Sequence, residues 1–355
     1  GGIAMAGIIG IIKSWGIIKS AVSLAAREMK GKGDATADVP RTQRDISFKI
    51  IAIGSIATIL ITFLFFWFGV MEGNLLFAIV GILLVALIAF LFTTVAANAI
   101  AIVGSNPVSG MTLMTLIVAS TIFVAIGLNG TQGIIASMVI GGVVCTALSM
   151  AGGMVTDMKI GYWLGSTPAK QQTWKAVGTL VSAATVGGVI LLLNKAYGFT
   201  NPDVMAAPQA NAMAAVIDPL MMGGDTPWIL YSVGAVFACL LNWLGVPALA
   251  FSLGMFIPFH LNAPLLVGGA ISWFVGSRSK DEKLNKARQE KGTLLASGFI
   301  AGGALMGVVS AGMTLSGFSY ECPLSDGVTS ALAVVIYLAL IGFLICSCLK
   351  AKKED

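Results

Sequence analysis

Charge is what this sequence has least of. Only 10% of its 355 residues are Asp, Glu, Lys or Arg, against roughly 25% in soluble domains. The residues are 57% hydrophobic and the mean hydropathy is +0.92. A water-soluble globular fold is excluded on that ground. The apolar runs are long and unbroken, which excludes a barrel of short alternating strands. There is one histidine, His260, and the five cysteines show no Cys-x-x-Cys spacing, so no metal site is expected. Cys145 and Cys239 lie in apolar runs and are expected as small core residues. H-E-x-x-H, G-x-S-x-G, paired intramembrane aspartates and a G-K-[ST] phosphate loop are all missing. Hydrolase and ATP-driven chemistry therefore find no support, and no cofactor is implied. The net charge of +5 does not point to nucleic acid, because the cations follow membrane topology.

What remains is an all-α class, a polytopic transmembrane bundle with broken or re-entrant helices. Candidate spans fall at about 48–70, 75–103, 109–127, 131–153, 176–194, 228–243, 246–258, 261–276, 292–314 and 328–348. Most reach the length of about 20 residues that crosses roughly 30 Å of hydrocarbon. The three from 228 to 276 are short and marked by Pro or Gly. The chain opens in mid-helix, GGIAMAGIIGIIKSWG, and is expected to be the C-terminal portion of a longer protein. Residues 1–30 read as the end of a cut spanning helix followed by an amphipathic surface helix. Residues 31–47 read as a cytoplasmic linker, 48–348 as the transmembrane domain and 349–355 as a cytoplasmic tail. With residues 13–49 and the C-terminus inside, every one of the 21 Lys and Arg except Lys195 falls on the inner side or its flanks. That agreement with the positive-inside rule supports ten crossings plus the first helix, in a bacterial inner membrane.

The stretch Asn98–Gly110, NAIAIVGSNPVSG, interrupts this pattern with uncharged polar residues between two apolar arms. Unpaired polar groups cost several kcal/mol in lipid, so such a break survives only inside protein or beside a watery cavity. Pro107 removes a donor, and Gly104 and Gly110 admit bends. These three are candidate hinges. Asn98, Ser105, Asn106 and Ser109 are candidate substrate ligands, because unwound backbone between hydrophobic arms builds sites in many transporters. Interhelical polar glue is the competing role for the same residues. A second break, FIPFHLNAP, holds Pro258 and Pro264 as further hinges, with His260 between them and Asn242 ending the preceding short span.

Gln209 and Asn211 flank an apolar stretch, read as an interfacial or re-entrant helix at the outer mouth. They are equally fit to meet substrate or to cap a helix. Asp157 ends a long apolar run. An acid at that place is a proton-coupling candidate, or else half of an interfacial ion pair. His260 is the other candidate, since histidine titrates near neutral pH. The segment GYWLGSTPAKQQTWKAVG that follows Asp157 is expected to be an inner loop with aromatic anchors.

Gly104–Met111 (GSNPVSGM) and Gly152–Gln171 (GGMVTDMKIGYWLGSTPAKQ) together resemble the oligopeptide transporter (OPT) superfamily. RTQRDIS at 41–47, APQAN at 207–211 and KGTLLASGFIAGGALMG at 291–307 extend the resemblance in order through the chain. It is strongest to the prokaryotic branch, related to the yellow-stripe-like metal-chelate carriers. The resemblance implies the C-terminal half of a proton-coupled carrier that imports small peptides or peptide-like metal chelates. Its partners would then be the substrate, protons, the lipid bilayer and the missing N-terminal half, with no nucleic acid; homo-oligomer formation is left open. Family members often carry an acid near the Gly302–Gly303 pair. Here both are glycine, so a proton role at that place has no acid to carry it. A membrane-embedded enzyme, such as an intramembrane hydrolase or lipid transferase, and a passive channel are the alternatives.

Overall fold

The computed structural model describes residues 1–13, 15, 16, 19, 20, 23, 40–103, 108–199, 208–224, 227–256, 259–318 and 325–351. All regular structure among them is helical. In chain order the helices are α1 (Gly2–Lys13), α2 (Phe48–Leu64, continued by a π-helical turn Phe65–Val70) and α3 (Leu75–Val103). Next come α4 (Val108–Ala125), α5 (Gly130–Leu164), α6 (Pro168–Tyr197), α7 (Pro208–Met221) and α8 (Trp228–Trp243). The last four are α9 (Ala248–Phe256), α10 (Phe259–Ser277), α11 (Glu282–Leu315) and α12 (Asp326–Leu349). Six helical segments among the described residues are long and apolar enough to cross a bilayer: Arg41–Val70, Leu75–Ala97, Gly130–Leu164, Pro168–Tyr197, Glu282–Leu315 and Gly327–Leu349. α9 has nine residues, about 14 Å of helix, and is too short to span alone.

Helix ends are set by local chemistry. The Asn74 side chain accepts from the Leu76 amide at 3.1 Å and opens α3. Asp281 accepts from the Lys283 and Leu284 amides and caps α11. Gly165 closes α5 at φ 66°, a left-handed value that only glycine adopts without strain. The Ser166 amide then reaches back to the Gly161 carbonyl at 2.9 Å, a Schellman-type stop.

These caps correct an expected loop. The segment after Asp157 is helix up to Leu164 and again from Pro168, so only a three-residue turn separates α5 from α6. The stretch 277–291 is helical from Glu282. The helix after Asp157 was hidden because its turns there are polar, and hydropathy alone stops where charge begins. Cys239 is exposed on α8, not the core residue its apolar surroundings suggest.

The chain forms two compact units, Gly1–Leu180 with Pro208–Phe256, and Val181–Ala207 with Ile257–Asp355. In the first unit α5 is the central column, with α3 and α4 packed along it. Ala136, Ile140, Val144 and Leu148 line its buried stripe, against Phe66, Phe92, Leu116 and Phe123. α7 lays Ile217 and Met221 onto this core, so the helix expected at the interface is partly built into the bundle. In the second unit α10, α11 and α12 pack pairwise, and the Tyr197 hydroxyl donates to Ser310 Oγ at 3.3 Å. The outward faces are apolar: Leu180 is 74% and Val335 61% exposed. A bilayer covers surfaces of that kind.

Candidate functional site

α3 stops at Val103 and α4 begins at Val108, which brackets the polar break. Gly104, Ser105, Asn106 and Pro107 lie outside the described residues. So do the side chains of Asn98, in the last turns of α3, and Ser109, in the first turn of α4. What surrounds them is described. On the α3 side Val95, Ala96 and Ile100 are buried; on the α4 side Gly110, Met111, Thr112 and Leu113 are buried. The Thr115 hydroxyl, fully buried, donates to the Met111 carbonyl at 2.9 Å. Burial thus reaches Ile100 on one side and Gly110 on the other, while Ala101 is exposed. A helix end leaves four carbonyls or four amides without partners in its own ladder, and an N-terminus such as that of α4 favours negative charge. Such ends can take the amide and carboxylate groups of a peptide-like ligand.

A cavity of about 250 Å³ lies between α1, α4, α7 and α8, walled by Met5, Ile8, Ile117 and Leu220. Tyr231 and Ser232 of α8 bring polar groups to it. Its volume is just below the roughly 300–1,000 Å³ of ordinary small-molecule sites. α1 approaches α8 and α9 through glycine: a Cβ on Gly2 would stand 2.6 Å from Ser252 Oγ, and one on Gly234 3.0 Å from the Gly2 amide nitrogen. Small residues permit such contact between membrane helices. The sequence reading passed over Tyr231 and Ser232. Their signal was a polar pair inside the apolar segment WILYSVGAVF.

Asp157 has a definite partner. Lys175 of α6 donates to its Oδ2, and the Gln171 amide donates to its backbone carbonyl at 3.2 Å. Lys175 is 19% exposed and Asp157 47%, so the pair is half-wet. Gly153 and Gly161 clear the space: a Cβ on either would run into Lys175 or Gln171. Lys159 turns away, its ammonium 5.5 and 5.3 Å from the Tyr162 and Trp163 ring centroids, a cation–π arrangement.

The conspicuous RTQRDIS segment is fastened to the same α5–α6 hairpin. Arg41 donates to the Gly165 carbonyl at 3.0 Å, and the Ala169 amide donates to the Arg44 carbonyl at 3.0 Å. Gln172 accepts from the Ile46 amide and donates to Asp45, each at 3.1 Å.

The remaining predicted residues scatter. Asn242, at the end of α8, accepts from Lys13 Nζ at 2.7 Å. It is thus tied to the end of α1. Asn211 is exposed on α7. Gln209 and His260 are helical, in the first turns of α7 and α10, with side chains outside the described residues, and Pro258 lies outside them altogether. Pro264 stands inside α10, which runs through it as helix. A proline there leaves the carbonyl four residues earlier without its amide donor.

Residues 1–314 match the family described as OPT oligopeptide transporter protein. The chain belongs to that family. An OPT relative from Haemophilus influenzae, named "Putative oligopeptide transporter", is 26% identical over 373 residues, covering 91% of this chain. The chain spans 59% of that relative's length. No solved structure matches. With the apolar helices above, OPT membership makes this an integral membrane protein.

Proposed function

We propose that this chain forms the C-terminal part of a proton-coupled secondary transporter. It imports small oligopeptides, or peptide-like metal chelates, by alternating access. The observation that carries this reading is the break between Val103 and Val108, with Ile100 on one side and Gly110 to Leu113 on the other buried in protein. Interrupted helices are tolerated at membrane depth where they are enclosed or line a cavity, and carriers place their sites there. OPT membership and the relative's name support a peptide as cargo.

In this reading Asn98, Ser105, Asn106 and Ser109 bond the substrate's amides, with Gln209, Asn211 and Asn242 on its path. Gly104, Gly110, Pro107, Pro258 and Pro264 let the helix arms move, while Asp157 and His260 are the proton-coupling candidates. Residues 13–49 and the C-terminus face the cytoplasm of a bacterial inner membrane, and no enzymatic step is involved. Uptake of labelled di- to hexapeptides into vesicles containing the intact protein, with and without an inward proton gradient, tests the reading. Gradient-driven uptake that falls in Asn106→Ala is expected. No uptake across the panel, and no substrate-dependent rise in the unfolding temperature, would overturn it.

A further inference from the structure

Where α10 and α12 finish and α11 begins, a cavity of about 210 Å³ opens in the second unit. Arg288, two turns into α11, lies at its helix-end side with Ser272 and Thr293. Ile271, Ala296 and Leu344 continue the wall as apolar surface towards the helix middles. Two glycines make room at this junction: a Cβ on Gly276 would meet the Gln289 amide, and one on Gly292 would press Cys348 Sγ at 3.2 Å.

The anomaly is the arginine itself. Its Nε and Nη1 are buried and have no hydrogen-bond partner. Guanidinium does not shed its proton, and a buried charged donor left unpaired is costly. Of the acids at these helix ends, Glu282 is exposed in the first turn of α11 and two others are engaged elsewhere. Glu290 reaches Lys286 at 4.0 Å, and Asp281 is spent on the α11 amides. Meanwhile Arg278, Lys280, Lys283, Lys286 and Lys291 crowd the same helix ends, so the local field draws in anions. Its two unpartnered donors, Nε on one edge of the guanidinium and Nη1 on the other, can each give a charge-assisted hydrogen bond to an anion oxygen.

We infer that this cavity binds the phosphate group of an anionic ligand at Arg288. The phosphate belongs to a lipid headgroup, whose acyl chain would follow Ile271 and Leu344, or it is free. Basic pockets between membrane helices take lipid phosphates on these terms.

The test uses the intact protein, purified and delipidated in neutral detergent. Binding is titrated with dioleoyl phosphatidylglycerol, with dioleoylglycerol (the same chains without the phosphate) and with inorganic phosphate. Native mass spectrometry and the unfolding temperature report it. Phosphatidylglycerol is expected to bind and stabilise where dioleoylglycerol does not. Arg288→Gln should weaken that binding about tenfold, the worth of a charge-assisted hydrogen bond. Arg288→Lys, which keeps the charge without the two separate donors, should fall between, and Lys170→Gln, far along the sequence on α6, should match the parent. Ser272→Leu fills the cavity and keeps the arginine, so it too must weaken binding. It serves where Arg288→Gln does not fold. Stabilisation by inorganic phosphate equal to that by the lipid assigns the site to the free anion; stabilisation by the lipid alone assigns it to the headgroup. Equal binding of dioleoylglycerol and phosphatidylglycerol with no response to phosphate overturns the inference. So does a folded Arg288→Gln or Ser272→Leu that binds as the parent does.

Discussion

Lys175 and Asp157 form an ion pair across the α5–α6 hairpin, at matching distances from the turn that joins the two helices. Each lies in a segment apolar enough to span a bilayer, where charges are rare and usually functional. Asp157→Asn is expected to lower stability by about 1–2 kcal/mol, since the pair is only half-buried. Adding Lys175→Met should recover most of that loss. Thermal unfolding in detergent measures both. If Asp157 carries the coupled proton, Asp157→Asn vesicles will take up peptide without acceleration by an inward acid gradient. Acceleration equal to the parent's leaves the pair a purely structural clasp.

Gln172 holds segment 40–47 against the hairpin by bonding both Asp45 and the Ile46 amide. Gln172→Ala removes both bonds at once. The Ile46 amide should then exchange with deuterium about fivefold faster, corresponding to about 1 kcal/mol for its hydrogen bond. Limited trypsin should also cut sooner after Arg44. Unchanged exchange at Ile46 would show that Arg41 on the Gly165 carbonyl holds the segment without Gln172.

The helices were legible because their apolar runs are long and their ends carry Gly, Asn or Pro. α3 has the span expected of it, 75–103, and α8 likewise at 228–243. α5 and α6 were read short because Asp157, Lys159 and the Lys170–Lys175 stretch look like loop to a hydropathy scale. Gly161 and Gly153 leave room for the Gln171 and Lys175 side chains that reach across from α6, so the polar residues there have partners within helix. The Asp157–Lys175 pairing was hidden for the same reason: two charges count as opposite only once the turn between them is known to be three residues long. The break at 98–110 was legible from its Asn, Ser, Gly and Pro. The polar pair Tyr231–Ser232 was not, since one Tyr–Ser step in an apolar helix carries no periodicity.

Gly234 marks where α8 meets the start of α1, and an added methyl would press backbone, which cannot swing aside as a flexible side chain can. Gly234→Ala should therefore cost about 1–3 kcal/mol. Gly178→Ala on α6 has nothing within 4 Å of the new methyl and should lie within about 0.5 kcal/mol of the parent. The comparison separates close helix approach from any general intolerance of alanine. Equal unfolding temperatures for the two variants would remove the α1–α8 contact from the account of the first unit.

Leu116 of α4 crosses α5 at Gly141, where a Cβ would stand 2.5 Å from the leucine methyl. One turn along each antiparallel helix, that register brings Ser120 level with Ser137. Both hydroxyls are fully buried and neither has a hydrogen-bond partner. If they serve packing alone, Ser120→Ala and Ser137→Ala should be neutral or stabilising by up to about 1 kcal/mol, because each removes an unpaired polar group. Thr115→Val, which gives up a made bond to the Met111 carbonyl, should cost about 1 kcal/mol in the same assay. A loss on either serine, matched by slower peptide uptake, would mean that something polar sits between them during the transport cycle. The buried seam between α4 and α5 would then belong to the path of the cargo.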